Sequence, residues 1–306
     1  MTTRNSYEII CSCMPQQIVR SMQAVSAESR KNLNEIRLRV GRPVAYVYPD
    51  RTLYLHTGGK LQTVPYNEDA VKPNKNDFAK ITEILCRFSL HSCARELREG
   101  FFTIENGIRV GASGTYSNGE RNTIKYINGL NFRIVREING CSENIYRSLL
   151  QNKSANILIC GGVNSGKTTL LRDLCRLCGN NRKTVLIDER SELAGCINGV
   201  PSMEIGLQTD VIEGCSRSEG ILTAIRTLSP RMIFCDEIGN ESDVQAIMSG
   251  SGSGVCFAAT IHAGSYHELM KRKYGAELIK NQLFDYAVIL EGEGSPGMVK
   301  EVRRID

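Results

Sequence analysis

The sequence predicts an α/β fold with a parallel sheet in the second half of the chain, preceded by a smaller α+β domain. From residue 155 onward, short apolar runs of strand type alternate with segments of helical periodicity, which is typical of a parallel sheet with helices on both faces. Before residue 140, short strands, turns and helices follow one another without that alternation. We therefore expect an N-terminal α+β domain over residues 1–140, a linker over 141–154 and the α/β domain over 155–306.

Length and composition limit the class of protein. The 306 residues suffice for two domains that each bury a core. The 38 Lys and Arg exceed the 33 Asp and Glu by five, a mild excess that is compatible with an anionic partner and equally with an ordinary solvated surface. No apolar run approaches the roughly 18 residues of a membrane span, and the chain has no basic-then-apolar leader. We therefore expect a soluble, intracellular protein.

Twelve cysteines are scattered through apolar segments, which favours buried thiols in a reducing cytoplasm over a disulfide framework. Examples are Cys86, Cys160, Cys235 and Cys256. Two close pairs, Cys11 with Cys13 and Cys175 with Cys178, lack a second Cys or His pair at metal-finger spacing. We expect no metal site at either pair.

The first domain opens with an amphipathic helix predicted over residues 15–25, because its apolar residues recur on one face. Short strands follow, and Gly41-Arg42-Pro43 breaks the first of them. They are predicted at residues 35–40, 44–48, 53–56 and 61–64. A second helix is predicted over 78–88, and we expect Asp77 to be its N-cap.

The strongest hairpin signal in this domain is Asn106-Gly107, which separates the apolar runs 101–104 and 108–111. Asn-Gly favours the tight turns that connect antiparallel strands. A short helix, a turn and a last strand are predicted at residues 93–98, 117–119 and 131–138.

Four predicted strands of the second domain end in polar residues. They cover residues 157–160, 183–187, 231–235 and 255–260. A helix is expected over 218–226, with Ser218 as its cap. Because parallel strands end at the same edge of a sheet, where such folds bind ligands, we expect the polar residues after these strands to form one site.

The first of these strands leads directly into a phosphate-binding pattern. Residues 161–168 fit Gly-x-x-x-x-Gly-Lys-[Ser/Thr], and a segment of helical periodicity follows. With the next residue of that helix, the stretch comprises Gly161, Gly162, Val163, Asn164, Ser165, Gly166, Lys167, Thr168 and Thr169. Backbone amides and the helix dipole favour phosphate there. We expect it to bind a nucleoside triphosphate, with Lys167 at the β- and γ-phosphates and Thr168 as a ligand of Mg²⁺.

Carboxylates follow two other strands. Asp236 and Glu237 come after the third strand; we expect Asp236 to hold Mg²⁺ and Glu237 to orient or deprotonate the attacking water. Asp188 and Glu189 follow the second strand, and we interpret Asp188 as a metal ligand and Glu189 as a catalytic residue of the same shell. The alternative for Glu189 is a surface ion pair with Arg190.

His262 follows the fourth strand, in the sequence Thr260-Ile261-His262-Ala263. A single His is equally well explained as a structural side chain. At this edge of the sheet, the alternative is that His262 is catalytic and hydrogen-bonds the γ-phosphate.

Together these motifs resemble those of the secretion-type ATPases that drive type II secretion and type IV pili. The shared order is a phosphate loop, an acidic box at 186–192, Asp236-Glu237-Ile238 and a histidine box at 260–263. The N-terminal half is similar to the stage III sporulation protein AA family. The segments that carry this second resemblance are residues 34–43, 98–103, 107–111 and 131–138.

The resemblance implies a RecA-like P-loop NTPase domain of AAA+ type that hydrolyses ATP with Mg²⁺. It implies a homo-hexameric motor on the cytoplasmic, mother-cell side of the outer forespore membrane, where a membrane protein partner joins it to a channel-like complex between mother cell and forespore. It also implies that N-terminal arginines approach the nucleotide, and the best matched positions are Arg109, Arg133 and Arg136. A catalytic role, in which they neutralise transition-state charge, competes with their being solvated surface arginines.

The sequence departs from the secretion ATPases in two places. The paired Cys-x-x-Cys module of many type II secretion ATPases is missing, so zinc is not expected, and Arg190 stands where that pattern usually has proline. Two other functions stay open. One is a nucleic-acid-binding RecA-like ATPase, which the basic stretch 271–273 suits but for which no aromatic and basic stacking platform is found. The other is a nucleotide-gated scaffold with negligible turnover.

Overall fold

The structure is a computed structural model that describes residues 5–65, 68–86, 98, 100–117, 124–134, 138–196, 199–292 and 295–305. The chain divides into two compact units, Met1–Arg136 and Glu137–Asp306. The described part of each unit contains a seven-stranded sheet. The two sheets differ in kind, because the first is antiparallel and the second is largely parallel.

The first unit contains four described α-helices, and three of them, all except the short Ala27–Arg30 helix, contribute buried residues to its apolar core or pack against it. The four are α1 (Ser6–Ser12), α2 (Gln16–Gln23), α3 (Ala27–Arg30) and α4 (Lys75–Leu85). Helix α2 matches the predicted amphipathic helix, with Ile18 and Met22 buried. Helix α1, which the sequence analysis missed, begins with a capping box between Asn5 and Glu8.

Helix α4 begins before the predicted start. Its N-cap is Asn74, not Asp77: the Asn74 side-chain oxygen accepts the Asp77 N–H at 3.1 Å, and the Asp77 carboxylate accepts the Asn74 N–H at 2.9 Å. This reciprocal arrangement satisfies two backbone donors at once, so the helix starts at Lys75. The Gln17 side chain also donates to Asp77, which ties α2 to the start of α4.

The strands of the first unit are β1 (Glu35–Arg39), β2 (Arg42–Val47), β3 (Thr52–Leu55), β4 (Leu61–Gln62), β5 (Phe101–Ile104), β6 (Ile108–Tyr116) and β7 (Ile124–Arg133). They lie in the order β4-β3-β2-β1-β7-β6-β5. The predicted hairpin is confirmed, since β5 and β6 pair antiparallel across a turn in which Asn106 and Gly107 have φ of 59° and 64°. The predictions at 93–97, 118–119 and 135–137 fall outside the described residues.

Strand β1 of the first sheet is buried on one face and exposed on the other. On β1, Ile36 and Leu38 are buried, while the alternating Arg37 and Arg39 are exposed. This period of two is the pattern that the sequence showed. The buried face therefore belongs to the apolar core, and the open face carries charge.

The second unit has strands β8 (Ile157–Gly161), β9 (Thr184–Asp188), β10 (Thr209–Glu213), β11 (Met232–Cys235), β12 (Cys256–His262), β13 (Tyr286–Leu290) and β14 (Val299–Arg304). Their order is β10-β9-β11-β12-β8-β13-β14. Neighbouring strands are parallel except β13 and β14, which are antiparallel. All four predicted strands are present, and β8 lies between β12 and β13. The predicted parallel sheet therefore exists, with one antiparallel edge strand.

The helices described in the second unit are α5 (Glu143–Ile145), which continues as a π-helical turn (Tyr146–Leu150), α6 (Lys167–Gly179), α7 (Arg217–Thr227), α8 (Glu241–Ser251), α9 (Tyr266–Lys271) and α10 (Lys273–Lys280). The N-cap of α7 is Ser216, not Ser218. The Ser216 hydroxyl accepts the Glu219 N–H at 3.4 Å, and the Glu219 carboxylate accepts the Ser216 N–H at 3.3 Å. The capping box again sets the start.

The segment predicted as a linker, 141–154, is packed in the second unit. Asp173 on α6 is buried, and its carboxylate accepts the Gly140 N–H at 3.1 Å, the Ser142 N–H at 2.8 Å and the Ser142 hydroxyl at 2.7 Å. Burial raises the pKa of Asp173, but these bonds and Arg176 outweigh it, so its pKa lies below its ordinary value. Releasing the segment would leave a buried carboxylate without these donors.

The cysteines follow the prediction with two differences, one of which is that Cys256 is only partly buried. Most described free thiols are buried, and burial raises the pKa of Cys160 and Cys178 to about 12. Cys86, just after α4, is instead disulfide-bonded, so the prediction of a buried thiol is wrong there. None of the helices in the described part of the chain has the length and apolar character that a membrane crossing requires.

Candidate functional site

The carboxyl edge of the second sheet brings the sequence motifs together. Strands β8, β9, β11 and β12 are mutually parallel, so their ends point the same way. His262, the last residue of β12, is the register partner of Gly161, the last residue of β8. Asp188 ends β9, and Asp236 follows the end of β11, whose register partners are on β9 and β12. The predicted polar residues of this unit therefore share one edge.

The phosphate-binding loop connects β8 to the first turn of α6. Gly166 lies in the left-handed region at φ 88°, and Asn164 has φ 56°. A Cβ at Gly161 would collide with the Ser165 hydroxyl, so glycine is required there by close approach. The Lys167 ammonium donates to the Gly162 carbonyl at 2.7 Å, which folds the side chain back over the loop.

A turn that the sequence analysis missed supports this loop. The Gly297 N–H, between β13 and β14, donates to the Ser165 carbonyl at 2.8 Å. A Cβ at Gly166 would collide with the backbone of Gly297. The β13–β14 connection thus packs on the phosphate-binding loop, and sequence spacing gave no signal of it.

Thr168 and Asp236 meet directly. The Thr168 hydroxyl donates to Asp236 Oδ2 at 2.7 Å, across 68 residues of sequence. The Thr260 hydroxyl bonds the other oxygen of Asp236 and accepts the Glu237 N–H at 2.8 Å. The sequence motif includes Thr260 in the histidine box but predicts no separate function for it. The threonine therefore fixes both carboxylate-bearing residues after β11.

Lys167 is partly buried beside these acids. Burial lowers the pKa of Lys167, and Asp236 and Glu237 oppose that shift. Lys167 is thus a partly desolvated cation whose charged form the two neighbouring carboxylates support.

Asp188 has partners other than those we predicted. Its Oδ1 accepts the Glu192 N–H at 3.0 Å, and its Oδ2 accepts the N–H groups of Leu193 and Ala194 at 3.0 and 2.8 Å. The structure thus directs this carboxylate to the acidic-box loop, and the contacts of Asp236 do not include it. Arg172 of α6 holds the same loop, donating to the carbonyls of Leu193 at 3.0 Å and Glu192 at 2.7 Å.

Glu189 is paired with a buried arginine. Arg217, whose side chain is 7% exposed, lies 2.8 Å from Glu189 Oε2 and 2.6 Å from Asp243 Oδ2. Asp243 also accepts the Gly239 N–H at 3.1 Å. Arg217 therefore links the acidic box to the loop after β11. Neither Arg217 nor Asp243 could be identified by motif, although Asp243 lies in the acidic first turn of α8.

Glu237, the predicted catalytic carboxylate, has an unusual backbone conformation and, among the described residues, one ion-pair partner. Its φ is 57°, a left-handed conformation that costs a non-glycine residue about 1 kcal/mol or more. Arg190 Nη1 lies 2.6 Å from Glu237 Oε2. The three consecutive residues Asp188, Glu189 and Arg190 therefore contact three different partners.

His262 is held in one tautomer. Arg272 Nη2 lies 3.3 Å from His262 Nδ1, and a guanidinium group can only donate. Nδ1 is thus the acceptor, so the proton of the neutral ring is on Nε2. Arg272 is anchored by Glu268 at 2.7 Å, and this hydrogen bond lowers the pKa of Glu268. His262 can then donate a hydrogen bond through Nε2.

The predicted arginines belong to the first unit. Arg109 on β6 and Arg133 on β7 are the residues next to Val110 and Phe132, which pair in register, and both lie on the same side of that pair. The Arg109 guanidinium lies 4.4 Å from the ring centre of Phe101, and Arg133 Nε is 4.0 Å from Glu35 Oε1. Arg136 lies outside the described residues. The catalytic role of these arginines stays a prediction.

The chain has relatives in sequence. The family model described as "Sporulation stage III, protein AA" matches residues 4–304. The chain is 32% identical over 301 residues to the stage III sporulation protein AA of Bacillus subtilis (strain 168), covering 96% of this chain and 94% of that protein. It is also 29% identical over 165 residues to the uncharacterized protein ycf45 of Cyanidium caldarium, covering 52% of this chain and 48% of that protein.

Solved structures share the fold. The ATPase DotB of Legionella pneumophila superposes with a TM-score of 0.56 at 15% identity, covering 95% of this chain and 77% of that chain. The pilus retraction motor PilT with bound ADP superposes with a TM-score of 0.56 at 13% identity, covering 84% of this chain and 74% of that chain. At such identities the likeness concerns the fold alone. The predicted RecA-like fold of the secretion ATPases is confirmed.

Proposed function

The chain belongs to the sporulation stage III protein AA family, and on that premise we propose that it is a Mg²⁺-dependent ATPase whose second unit carries the active site. Its family membership supports a role in sporulation. Its fold, shared with DotB and PilT, supports the use of ATP to drive secretion or assembly. ATP is the substrate, and hydrolysis would supply the energy of a motor.

The observation that carries this proposal is the 2.7 Å bond between Thr168 and Asp236. A hydroxyl at the start of the phosphate-loop helix and a carboxylate after a parallel strand are the oxygen ligands that Mg²⁺ takes in P-loop NTPases. Within the described residues, no cluster of three or more His, Cys, Asp and Glu could hold a metal by itself. Water and nucleotide phosphates would therefore complete the shell of a magnesium ion, which supplies charge neutralisation of the phosphates when bound.

The protein's own groups divide the remaining work. The close backbone approach at Gly161 and the left-handed Gly166 shape the loop before the helix, and its backbone amides would bind phosphate oxygens there. Lys167 reaches the β- and γ-phosphates by giving up the Gly162 carbonyl. Glu237 accepts a proton from, or orients, the attacking water, while His262 donates Nε2–H to the γ-phosphate.

We further propose that the active protein is a homo-hexamer on the mother-cell side of the outer forespore membrane, where a membrane protein partner receives the motion. The charge of the two units supports self-association. The first carries 20 Lys and Arg against 12 Asp and Glu, and the second carries 18 against 21. Net charges of +8 and −3 favour contact between unlike units of neighbouring copies. Arg109, Arg133 and Arg136 would then serve a neighbour's nucleotide.

The test is phosphate release by the full chain with ATP and Mg²⁺. Glu237→Gln is expected to lower turnover by at least about a hundredfold, because general-base assistance contributes roughly 10²–10⁴ in rate, with ATP binding retained. Thr168→Ala should weaken Mg²⁺-dependent binding itself. Arg147→Gln, in an exposed pair with Glu143, is the matched control and should behave as wild type. Unchanged turnover in Glu237→Gln would remove Glu237 from this role.

A nucleic-acid-stimulated ATPase is the second candidate, and the +8 charge of the first unit is the observation that favours it. Binding to single-stranded DNA that falls steeply with salt, together with faster ATP turnover, would support it. Turnover that is indifferent to DNA at physiological salt would exclude it.

A further inference from the structure

Arg190 occupies the position at which this chain departs from the secretion-ATPase pattern, and its side chain contacts the proposed catalytic carboxylate. Arg190 Nη1 lies 2.6 Å from Glu237 Oε2. The two side chains are 55% and 45% exposed. They extend from the loops after β9 and β11, which are neighbouring strands of the sheet.

This ion pair is easily exchanged, in contrast to the buried contacts of Arg172 and Arg217. Arg217 is buried between two carboxylates, and Arg172 is buried against two carbonyl groups. Arg190 has one half-exposed carboxylate as its partner, and such pairs contribute little to stability. A guanidinium group binds phosphate oxygens with a matching fork of donors. A phosphate in reach would therefore compete well for Arg190.

The backbone around Arg190 is fixed, so the exchange requires side-chain rotation alone. Asp188 accepts three backbone N–H groups from residues 192–194, and Arg172 donates to two carbonyls of the same loop. Ser191, directly after Arg190, is held at φ 55°. The base of the Arg190 side chain thus keeps its place while its end is free to change partners.

The position of the Arg190–Glu237 ion pair favours contact with the terminal phosphate over the other two. Asp236, the residue before Glu237, accepts a hydrogen bond from Thr168 of the phosphate-binding loop, so Glu237 follows directly the carboxylate that is proposed to hold Mg²⁺. If Glu237 faces the attacking water, as proposed above, its carboxylate lies on the far side of the γ-phosphate. A cation paired with that carboxylate is near the γ-phosphate and farther from the other two.

We propose that Arg190 discriminates ATP from ADP by exchanging Glu237 for the terminal phosphate. This rests on the proposed function. Without a γ-phosphate, Arg190 holds Glu237 in the ion pair. With ATP bound, Arg190 turns to the γ-phosphate and frees the Glu237 carboxylate to act on water. The exchange is electrostatic and makes or breaks no covalent bond.

The experiment compares the affinities of the full chain for ADP and for a non-hydrolysable ATP analogue, both with Mg²⁺, by calorimetry. Arg190→Gln is expected to weaken binding of the analogue by about tenfold or more, the scale of a lost charge-assisted contact, and to change ADP binding by less than about twofold. Arg190→Lys should retain part of the preference because it keeps a positive charge. Arg147→Gln is the control and should leave both affinities unchanged.

A double-mutant cycle separates exchange from a merely structural role. Glu237→Gln removes the competitor for Arg190, so it should tighten binding of the analogue several-fold, and this gain should vanish in the Arg190→Gln background. An equal weakening of ADP and analogue in Arg190→Gln, or an equal effect of Glu237→Gln in both backgrounds, would overturn the proposal. Normal turnover in Glu237→Gln would refute the proposed catalytic role of Glu237. The ratio of the affinities for the ATP analogue and for ADP would still test the proposed role of Arg190. Failure of the wild type to bind either nucleotide would overturn both.

Discussion

The two units differ most in what they bury. In the described part of the first unit, Asp77 is the buried member of the Asp, Glu, Lys and Arg class. The second unit buries several charged side chains: Arg172, Asp173, Asp188, Arg217 and Asp243. Charged groups are costly to desolvate and are buried only with partners. Arg172, Asp188, Arg217 and Asp243 hold the loops after β9 and β11, and Asp173 holds residues 140–142. The first unit instead has an apolar core and exposes Arg37 and Arg39 on β1.

The units also differ in which residues adopt left-handed backbone. In the described part of the first unit, the non-glycine residues with positive φ are Asn32 and Asn106, and asparagine tolerates this region. In the second unit, Asn164, Ser191 and Glu237 adopt it in or beside the candidate site, and Ser229 and Gln282 adopt it elsewhere. The comparison suggests that the first unit is locally consistent, and that the second retains strain where its chemistry is proposed to occur.

The largest expected effect tests the buried charge. Arg217→Met would leave Asp243 buried without its cation, so the free energy of unfolding of the second unit should fall by about 3–5 kcal/mol. Hydrogen exchange measured by mass spectrometry reports peptides of the two units separately, and protection in the first unit should persist. Arg147→Met, at an exposed pair, should change stability by less than about 0.5 kcal/mol. Equal losses of protection in both units would contradict the comparison.

A smaller effect is expected at Asp173. Its folded pKa lies below the ordinary value, so its contribution is present above the unfolded pKa of about 3.9 and is lost as the pH falls through the folded value. Asp173→Asn should cost about 1–3 kcal/mol at pH 7 and should flatten the acid limb of stability against pH. The measurement is denaturant unfolding from pH 7 downward, with Asp50→Asn, at an exposed site, as the control. Parallel curves for Asp173→Asn and wild type would count against this assignment.

The smallest effect concerns backbone strain. Glycine has no penalty at positive φ but loses more entropy on folding. Glu237→Gly should therefore match or exceed wild-type stability by up to about 1 kcal/mol, and should exceed Glu237→Ala, which keeps a Cβ in the left-handed region. Both variants should lose hydrolysis. Thermal unfolding gives the ranking, and Asn106→Gly in the first unit should shift stability by only a few tenths of a kcal/mol. A glycine variant less stable than the alanine variant would show that Glu237 is unstrained.

The sequence predicted the fold where local signals agree with one another. Strand β8, the glycine loop and α6 follow in an order that one motif describes, and Asn106-Gly107 marked its hairpin correctly. The helix starts at Asn74 and Ser216 were placed two or three residues late, because several polar residues near each start are acceptable caps and only reciprocal bonds with Asp77 and Glu219 single out the right one. Strand β13 and helix α8 were missed although an apolar run and an Asn240 cap signalled them.

The sequence predicted which types of residue lie at the site, but only some of the contacts between them. Thr168 and Asp236 meet as the motif spacing suggested. Asp188, Glu189 and Arg190 were interpreted as one shell with a possible internal pair, yet they contact backbone amides, Arg217 and Glu237. Adjacent side chains in a turn diverge in directions that depend on the loop's φ and ψ angles, and nothing in the one-dimensional pattern fixes those angles.

The sequence by itself therefore determined the α/β class of the second unit, its phosphate-binding loop, the edge at which its polar residues meet and the family to which the chain belongs. Each of these depends on residue types at short, regular spacing, where backbone geometry leaves few choices. The tertiary structure alone decided that Arg217 joins Glu189 to Asp243, that Gly297 supports the phosphate-binding loop and that Arg190 holds Glu237. These contacts join residues at least 26 positions apart, and Arg190 and Glu237 are 47 positions apart. Which distant groups meet is set by packing of the whole sheet rather than by any local pattern.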